Sequence, residues 1–468
     1  MVSVAGRCFG CLGNCYNGSM DAPEPKRRWF YLTPDRLVLL LLVVECLLWL
    51  SNWLGWPSWH KGYAVLTSIA AVGIVLILML LWLVAALVFR RQFQFSIRSL
   101  LVMVLVIAVP CSWMTVEMKK AREQAATVDK ILKAKGKVEY DWQVAPDRSR
   151  THKRQPPEPT WLRSLFGDAF FQKVVLVDLG NEHVTDAELE FINNIKELRI
   201  LYLYQAHITD AGLDIVKDLA NLEELNLLFT HVTDNGVKKL QGLQKLKELD
   251  LRYTETSDEV FSVVKGFSQL EALCLNGTKV TDDGLANIAG LIHLELLGLD
   301  DTSISDAGIE HIRKLPQLRM LMLGGTQITD AGLQRLGCLT QLEHLTIRNT
   351  HVTNVGFEQV QHFPRLETLY IGTNNNVNDA TLEFVQHLTE LQNLELARTK
   401  VTDTGLACLR SLSRVRWLDL YNTEITDKGL TTLQSLPTLR HLLIHNTRVT
   451  SAGVAKFKQA LPTCIVSH

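Results

Sequence analysis

Three cysteines near the start of the chain have a spacing that metal ligands can have. Cys8, Cys11 and Cys15 fall within CFGCLGNC, and thiolates placed in this way can ligate zinc or iron. A fourth ligand is missing nearby, and glycines surround the three thiols. We therefore favour a tail without a bound metal, and a metal analysis of the isolated tail would decide between the two interpretations.

A second candidate cluster for metal or catalytic chemistry lies near the other end of the chain. His441 and His445 share one face of a predicted strand, and Asp419 lies one repeat away. Four residues along an extended strand place the two imidazoles ~13 Å apart, too far for one zinc ion. The sequence also lacks a glycine-rich phosphate loop and the HExxH, GxSxG and paired CxxC motifs. It therefore predicts no metal site, no cofactor, no small-molecule substrate and no enzymatic activity.

Composition limits both the fold and the partners. The chain has 468 residues, of which 48 are basic and 49 acidic, with a formal net charge of −1. This length exceeds one ordinary compact core, so several domains or a repeat array are expected. The balanced charge creates no global field that favours nucleic acid, which is not expected as a partner. Nine cysteines, an odd and sparse number, exclude a disulfide framework as the basis of the fold.

A repeat of twenty-four residues fills about three-fifths of the chain. Its shared pattern is LxxLxLxxTx(I/V)TDxGLxxLxxLxx, and one extra residue in NNNVND lengthens a single unit. There are twelve units, the first of them irregular. They begin at Val174, Leu198, Leu222, Leu246, Leu270, Leu294, Leu318, Leu342, Leu366, Leu391, Val415 and Leu439.

This pattern resembles the leucine-rich repeat, whose period and LxxLxL opening it shares. The TDxGL half is similar to the variant found in F-box-type leucine-rich repeat proteins and in many bacterial proteins, although no F-box precedes the array. The apolar segments, with FQFSIRSLLVMVLVIAVPCSW before a charged stretch, resemble those of membrane-anchored leucine-rich repeat proteins of planctomycete-type bacteria. The resemblance implies an α/β solenoid with parallel strands on the concave face and short helices on the convex face.

Each position of the repeat has a structural interpretation. Counted from the first leucine, positions one, four and six point inward, as Leu342, Leu345 and Ile347 do, and each strand pairs in parallel with the next, ~4.8 Å away. The threonine at position nine is expected to bond buried backbone groups, as asparagine does in many leucine-rich repeats. In the TD pair, threonine or aspartate can cap a short helix, and the glycine that follows leaves room for tight packing. The repeated aspartates are therefore predicted to be scaffold, not catalytic acids.

The outward-facing strand positions and the turn that follows them define the concave face, and function is expected where the units differ along it. No residue type dominates positions five or seven, which argues against a repeated metal or catalytic ladder. Aromatic and arginine side chains, which are enriched where proteins bind proteins, gather near both ends of the array. The alternative, nearly as strong, is that scattered surface aromatics have no function. The candidate partner-binding residues are Tyr202, Tyr204, Phe229, Arg252, Tyr253, Arg348, Tyr370, Arg398, Trp417 and Tyr421.

Three apolar segments precede the repeats. Leu37–Trp56, Tyr63–Phe89 and the shorter Leu100–Val116 approach or exceed the ~20 apolar residues that a bilayer span needs. Glu45 lies within the first, where we interpret it as protonated or hydrogen-bonded, not as part of a proton relay. The sequence thus predicts an N-terminal α-helical transmembrane region with three spans.

Basic residues in the short loops predict a multi-pass protein of the cytoplasmic (inner) membrane. Lys26, Arg27, Arg28 and Arg36 place the N-terminus in the cytoplasm, and three passes then place the repeats outside it. The repeats are instead cytoplasmic if 100–116 is only an interfacial segment. The basic residues directly after that segment and the unpaired cysteines of the repeats favour this alternative.

The predicted domain organisation has four parts. Residues 1–36 form a cytoplasmic tail and 37–116 the transmembrane region. Residues 117–160 form a stalk helix, a short strand and a proline-rich linker, whose basic run is interpreted as a solvated connector. Residues 161–468 form the repeat domain with its capping segments.

Two segments are predicted to cover the first turn of the array. KVEYDWQV (137–144) alternates as a strand does, and WLRSLFGDAFF (161–171) has an apolar stripe typical of a helix, which Thr160 could cap. VAKFKQALPTCIVSH closes the other end with a helix and a short strand.

The function predicted from these features is that of a membrane-anchored interaction module. Its concave face would bind a macromolecular partner, a protein or a cell-wall polymer, and three spans would hold it in the lipid bilayer. The alternative is a self-associating structural or assembly scaffold of the cell envelope.

Overall fold

The computed structural model describes residues 97–145, 148, 156 and 159–468, together with isolated positions between 70 and 84. The chain divides into two compact units, Met1–Met114 and Thr115–His468, and the second contains all of the repeats. One sheet of fourteen strands in sequential order extends through the described part of the second unit.

The structure overturns the predicted transmembrane region of the fold class and the predicted multi-pass membrane location. In the part of the chain that it describes, no helix combines the length and the apolar content that a bilayer crossing requires, about 20 apolar residues in succession. Residues 100–116 belong to helix α1, Ile97–Lys133, which continues without a break into a charged half. The segments 37–56 and 63–89 lie outside the described residues, apart from the isolated positions noted above. Cys8, Cys11, Cys15 and Glu45 also lie outside them.

The strands stack in the order of the sequence, one for each of the twelve units and one more at either end. β1 pairs with β2 in the antiparallel sense, and the later pairs are parallel and in register, so that Leu321 lies beside Leu345. The parallel solenoid predicted from the repeat is therefore present. The strands are β1 Lys137–Tyr140, β2 Val174–Asp178, β3 Ile200–Tyr202, β4 Glu224–Asn226, β5 Glu248–Asp250, β6 Ala272–Cys274, β7 Leu296–Gly298, β8 Met320–Met322, β9 His344–Thr346, β10 Thr368–Tyr370, β11 Asn393–Glu395, β12 Trp417–Asp419, β13 His441–Leu443 and β14 Ile465–Ser467.

The return segments of the units are short helices, because only about ten residues separate each TD pair from the next leucine run. The helices after α1 are α2 Thr160–Phe166, α3 Asp168–Phe171, α4 Asp186–Leu189, α5 Leu213–Val216, α6 Asp234–Lys239, α7 Phe261–Val264, α8 Asp282–Leu285, α9 Asp306–Ile312, α10 Asp330–Leu336, α11 Asn354–Phe357, α12 Asp379–Val385, α13 Asp427–Leu433 and α14 Ser451–Ala460. Segments of 3₁₀ helix are Glu190–Asn194, Leu240–Gly242, Asp258–Val260, Ile288–Gly290, Glu358–His362 and Gly405–Ser411.

The core lies between the strands and the helices and is continuous along the array. Positions one, four and six of the units supply it, and Leu342, Leu345 and Ile347 are fully buried as predicted. A single apolar cluster extends from Ile131 to Cys464. No unit could bury this surface alone, so the units depend on their neighbours.

The C-terminal half of α1, predicted as a stalk, packs on the first end of this core. Ile131 is fully buried there. Gln124 Nε2 donates hydrogen bonds to the carbonyls of Gln172 (2.8 Å) and Ala169 (3.4 Å). Together with β1, which covers the edge of β2, this segment closes the array.

The cap helix predicted over 161–171 consists of two helices. α2 and α3 are separated by Gly167, whose φ of 84° interrupts the helix. Thr160 is the first helical residue and is not the cap. Of the predicted apolar stripe, Leu162 is fully buried, whereas Trp161 and Leu165 are 57% and 66% exposed.

The other end closes with the helix and strand predicted there. α14 buries Phe457 against the core. β14 adds a parallel strand beside β13. The side chain of Ile465 on this last strand is 61% exposed.

The residue at position nine bonds the backbone, as predicted. The Thr254 hydroxyl donates to the Leu251 carbonyl at 2.7 Å, and the threonines of the other units repeat this bond. The lengthened unit has Asn374 at this position. Its Nδ2 donates to the Ile347 carbonyl of the preceding unit (2.8 Å), and its Oδ1 accepts from the Thr350 N–H (2.7 Å). A buried amide therefore makes a bond between units that a hydroxyl does not make.

The aspartate of each TD pair joins its unit to the next one. Asp306 Oδ1 accepts from the Thr329 N–H (2.8 Å), and its Oδ2 accepts from the Thr329 hydroxyl (2.6 Å). Thr329 Oγ1 in turn accepts from the Ala331 N–H (3.3 Å) and so caps α10. The threonine is therefore the cap, and the aspartate acts across units. We call this paired bond the aspartate clamp; it recurs from Asp186 to Asp427.

In most units, the residue three positions after the clamped threonine or serine is a glycine that lies against the carboxylate of the preceding unit; Val260 takes this place after Ser257. A Cβ on Gly332 would collide with Asp306 Oδ1. The close packing that the sequence predicts at this glycine is therefore a contact with the clamp carboxylate of the preceding unit.

One unit changes both of these partners together. Where most units have aspartate and glycine, this junction has Asn354 and Thr381. The Thr381 hydroxyl donates to Asn354 Oδ1 at 2.5 Å, and Asn354 Nδ2 donates to Asn378 Oδ1 at 3.1 Å. Thr381 is fully buried. The hydroxyl and the amide thus replace the clamp.

We expect Gly332→Ala to lower the free energy of unfolding by about 2 kcal/mol, because the added methyl displaces the Asp306 carboxylate from Thr329. The matched control is Gly290→Ala, whose added Cβ would meet no atom within 4 Å and which should change stability by less than about 0.5 kcal/mol. Urea unfolding followed by circular dichroism measures both. Equal unfolding midpoints for the two variants would contradict the clamp.

Candidate functional site

Position eight of the repeat lies in the turn that follows each strand. From the unit that begins at Leu198 onward, its backbone is left-handed, with φ from 53° to 70°. Glycine, asparagine and aspartate adopt this conformation at little cost, and other residues do not. The sequence analysis missed this feature, although glycine and asparagine recur at the position. Its residues are Gln205, Phe229, Tyr253, Gly277, Asp301, Gly325, Asn349, Thr373, Arg398, Asn422 and Asn446.

Two predicted residues at position eight, Phe229 and Tyr253, form an exposed aromatic stack. Their ring centroids lie 4.6 Å apart and their planes differ by 9°. The side chains are 49% and 44% exposed. The shared backbone angle directs both rings the same way, and the distance between neighbouring units brings them into contact.

The Tyr253 ring is held from its other side. A Cβ on Gly277 would overlap this ring, so the glycine provides the surface on which the ring lies. The Tyr253 hydroxyl donates to Asp301 Oδ2 at 3.3 Å. Partial burial, and then the charge of Asp301, raise the pKa of Tyr253, so its hydroxyl remains a donor at neutral pH.

Three other predicted residues near this end have partners within the protein. The Tyr202 hydroxyl donates to Glu224 at 2.6 Å. Arg252 binds Asp250 with Nε at 2.9 Å and Nη2 at 2.7 Å, and this hydrogen bonding raises the pKa of Arg252. Tyr204 is half-buried. A partner would therefore find Phe229 and Tyr253 more accessible than these three.

Four predicted residues at the other end form two pairs. Tyr370 and Trp417 have ring centroids 5.8 Å apart at an angle of 55°. The Arg398 guanidinium lies 5.5 Å from the centroid of the Tyr421 ring, within reach of a cation–π interaction. We call these four residues the far aromatic group.

Between the two ends, buried carboxylates line the concave face. Asp300 is 7% exposed and accepts a hydrogen bond from the Gly324 N–H at 2.7 Å. Arg348, the one predicted binding residue not yet described, lies 3.8 Å from Asp300. Burial raises the pKa of Asp300, and the Gly324 N–H and Arg348 partly oppose this shift. Arg348 therefore belongs to neither aromatic group and acts as a counter-ion.

Arg148, from the segment interpreted as a solvated connector, also reaches the concave face. Its Nη2 donates to Glu271 at 2.6 Å, and its Nη1 lies 3.5 Å from Glu248. Four residues earlier, Val144 is 2% exposed in a cluster with Leu176 and Ile200. Val144 belongs to the segment 137–144 that was predicted to cover the first turn of the array. The sequence analysis missed the contacts of Arg148, because no local pattern links a residue to partners about a hundred positions away.

Chemical reactivity has little support on this face. Among the residues that the structure describes, no group of three histidine, cysteine, aspartate or glutamate side chains is placed to hold a metal ion. Burial, and then the charge of Asp250, raise the pKa of Cys274 to about 12, so this thiol is not a nucleophile near neutrality. The contacts available on this face are aromatic stacking, ion pairs and hydrogen bonds.

Glu248 should make stability depend on pH near neutrality. Burial, followed by the charge of Glu224, raises its pKa from 4.5 to about 7, with Asp250 adding to the shift and Arg148 and Arg252 opposing it. The folded protein therefore keeps this proton to a higher pH than the unfolded chain does. The stabilising contribution is complete below pH 4.5 and is lost as the pH rises through 7.

We therefore expect Glu248→Gln, which cannot ionise, to gain thermal stability relative to the native protein between pH 5 and pH 8. Melting temperatures of both proteins at several pH values would measure this. A difference between the two that stays constant with pH would contradict the raised pKa.

Residues 254–465 match the family described as "Leucine-rich repeat region", and residues 219–240 match "Leucine Rich repeat". No curated protein matches the chain.

Several solved structures are similar to the repeats. An internalin of Listeria monocytogenes has 21% identity over 65% of this chain and 92% of its own, with a TM-score of 0.45. A leucine-rich repeat protein of Leptospira interrogans has 19% identity over 60% and 74%, with a TM-score of 0.42. A TDR receptor has 14% identity over 59% and 48%, with a TM-score of 0.40. Likeness at this level says nothing about function. The matched repeats, the buried leucines at fixed intervals and the parallel strands show that the chain contains a leucine-rich repeat domain.

Proposed function

We propose that this protein is a binding module whose concave face recognises a protein partner, with Phe229 and Tyr253 at the centre of the contact. Leucine-rich repeat domains are typical protein–protein interaction modules. The observation that carries the proposal is the exposed aromatic stack on a left-handed backbone.

Backbone strain argues that the stack does not serve stability. A left-handed conformation costs roughly 1–2 kcal/mol for a residue other than glycine, asparagine or aspartate. An aromatic pair returns about 0.5–1.5 kcal/mol for two such residues. Asn349 and Asn422 show that the same turn forms with residues that avoid the cost. Gln205 and Thr373 carry the same strain without an aromatic ring, so the strain alone marks no site. What distinguishes Phe229 and Tyr253 is that their strained backbone holds two large apolar rings at the surface.

The chemistry of the stack suits a protein interface. Aromatic side chains that are rigid before binding lose little conformational entropy when a partner covers them, and they dominate interface energies. The far aromatic group adds Trp417 and Arg398, both of a type enriched at such interfaces. Five strand spacings, ~24 Å, separate β5 from β10. A partner that contacts both groups is therefore a macromolecule.

We expect Phe229→Asn together with Tyr253→Asn to reduce partner capture at least tenfold without loss of stability, because asparagine accepts the left-handed turn. Tagged protein would be incubated with extract of the native cells, and captured proteins would be quantified by mass spectrometry. Urea unfolding of the double variant should have an unchanged or higher midpoint.

Thr373→Asn is the matched control, because Thr373 has the same backbone angle, φ 58°, without an aromatic ring. It should capture the same partners as the native protein. Equal capture by the double variant and the native protein would exclude the stack as the binding site.

A further inference from the structure

Part of the concave face is already occupied by the chain itself. Val144 covers Leu176 and Ile200, on β2 and β3, and Arg148 reaches Glu248 and Glu271, at β5 and just before β6. Two strand spacings separate β3 from β5, ~10 Å, and four residues of extended chain reach farther than this. Val144 and Arg148 therefore contact units that lie at least two strand spacings apart on this face.

The surface under Arg148 has a surplus of negative charge. When all of these groups are ionised, the carboxylates exceed the basic side chains by one if Arg148 is counted and by two if it is not. The carboxylates are Glu224, Glu248, Asp250, Glu271 and Asp300, and the basic side chains are Arg148, Lys247, Arg252 and Arg348. We call the four carboxylates Glu248, Asp250, Glu271 and Asp300 the acidic strip. Burial, and then the charge of Glu224, raises the pKa of Glu248, and the opposing charge of Arg148 does not cancel this shift.

An unpartnered acceptor lies within the same surface. Asn276 is 5% exposed, and its buried Oδ1 has no hydrogen-bond donor. A Cβ on Gly298 would collide with this oxygen, so Oδ1 lies over the glycine of the next unit. A hydrogen bond from the Asn276 side chain lowers the pKa of the adjacent Asp300, in opposition to the effect of burial. The flexible side chain of Met322 packs against the same amide group, with its Sδ 3.8 Å from Asn276 Nδ2. A buried acceptor without a donor costs about 1–3 kcal/mol, which an incoming N–H group would recover.

We propose that the acidic strip binds an extended, arginine-bearing segment of the protein partner, and that Arg148 holds one end of the strip until this segment displaces it. This inference rests on the proposed function, because it specifies the chemistry of a partner that the same face would bind.

Arginine fits the strip better than lysine does. The carboxylates of Glu248 and Glu271 come from neighbouring units, and Arg148 shows that one guanidinium reaches both. A guanidinium has five N–H donors in a planar fork, which can bind two carboxylates at once, whereas an ammonium group is a single point of charge. A second guanidinium at Asp300 would also have a donor left for Asn276 Oδ1.

The test uses a fluorescein-labelled synthetic peptide with the sequence of residues 140–154, which contains three arginines. Fluorescence anisotropy would measure its binding to the full-length protein. We expect Arg148→Ala to bind the peptide at least fivefold more tightly than the native protein, because the internal competitor is gone. A control peptide with glutamine at the three arginine positions should bind at least tenfold more weakly.

In the Arg148→Ala background, Glu271→Gln with Asp300→Asn should weaken peptide binding at least fivefold. Glu343→Gln with Glu367→Gln is the matched control, because it removes the same charge from position two of two later units, and it should change binding less than twofold. If the Asp300 variant does not fold, Glu271→Gln alone should still weaken binding at least twofold. Three results would each overturn the proposal. The first is equal binding of the peptide by the native protein and by Arg148→Ala, and the second is equal binding of the arginine and glutamine peptides. The third is equal binding of the peptide by the Glu271→Gln, Asp300→Asn variant and by the Glu343→Gln, Glu367→Gln control.

The same assay separates this inference from the proposed function. Phe229→Asn with Tyr253→Asn, in the Arg148→Ala background, should bind the peptide within twofold of Arg148→Ala alone. Loss of peptide binding in this variant would overturn the assignment of the peptide site to the acidic strip. Failure of the peptide to bind would leave the capture of partners by the aromatic stack intact as a separate result.

Discussion

The aspartate clamp is the interaction on which the regularity of the array depends. Each carboxylate fixes both the backbone N–H and the hydroxyl of the cap threonine in the next unit, as Asp306 does with Thr329. These two bonds set the distance between neighbouring units at the helix side, while the strands set it at the sheet side. At most junctions a glycine lies against the carboxylate, as Gly332 does against Asp306. Where that glycine is replaced by Thr381, the carboxylate is replaced by Asn354 as well. Another junction keeps the clamp of Asp234 on Ser257 although Val260 takes the place of the glycine.

The leucine spacing was sufficient to predict the solenoid, because the apolar residues at positions one, four and six are all buried only when successive units stack on one another. Local chemistry also predicted the bond made by the threonine at position nine. What the sequence could not show depends on neighbours distant in the chain or on backbone angles. Threonine and aspartate were both candidates for the helix cap, since a capping motif does not reveal that the aspartate has its partner in the next unit. The role of Arg148 is invisible for the same reason. The transmembrane region, predicted from apolar composition, has no counterpart among the helices that the structure describes.

Residue type alone selected the candidate binding residues, and the structure showed which of them lie together. Tyr202 and Arg252 were selected by the same rule as Phe229 and Tyr253, but they bind Glu224 and Asp250 and have little freedom to bind a partner. The left-handed turn at position eight separates the two cases. In a scaffold made of identical turns, a residue that fits its turn poorly stands out only after the backbone angles are known.

The regular scaffold also explains why charge accumulates on its concave face. Parallel strands in register bring the same position of successive units to within ~5 Å. Acidic residues that recur at one position therefore lie side by side and repel each other. Glu224 and Glu248 are such a pair. Their repulsion can be relieved by protonation, by a basic residue within the array, or by one from outside it. Burial and then this repulsion raise the pKa of Glu248 and so favour its protonation, Arg252 at Asp250 is a basic residue within the array, and Arg148 is one from outside it. Since Arg148 is supplied by a segment outside the repeats, the array itself leaves a position for an external guanidinium.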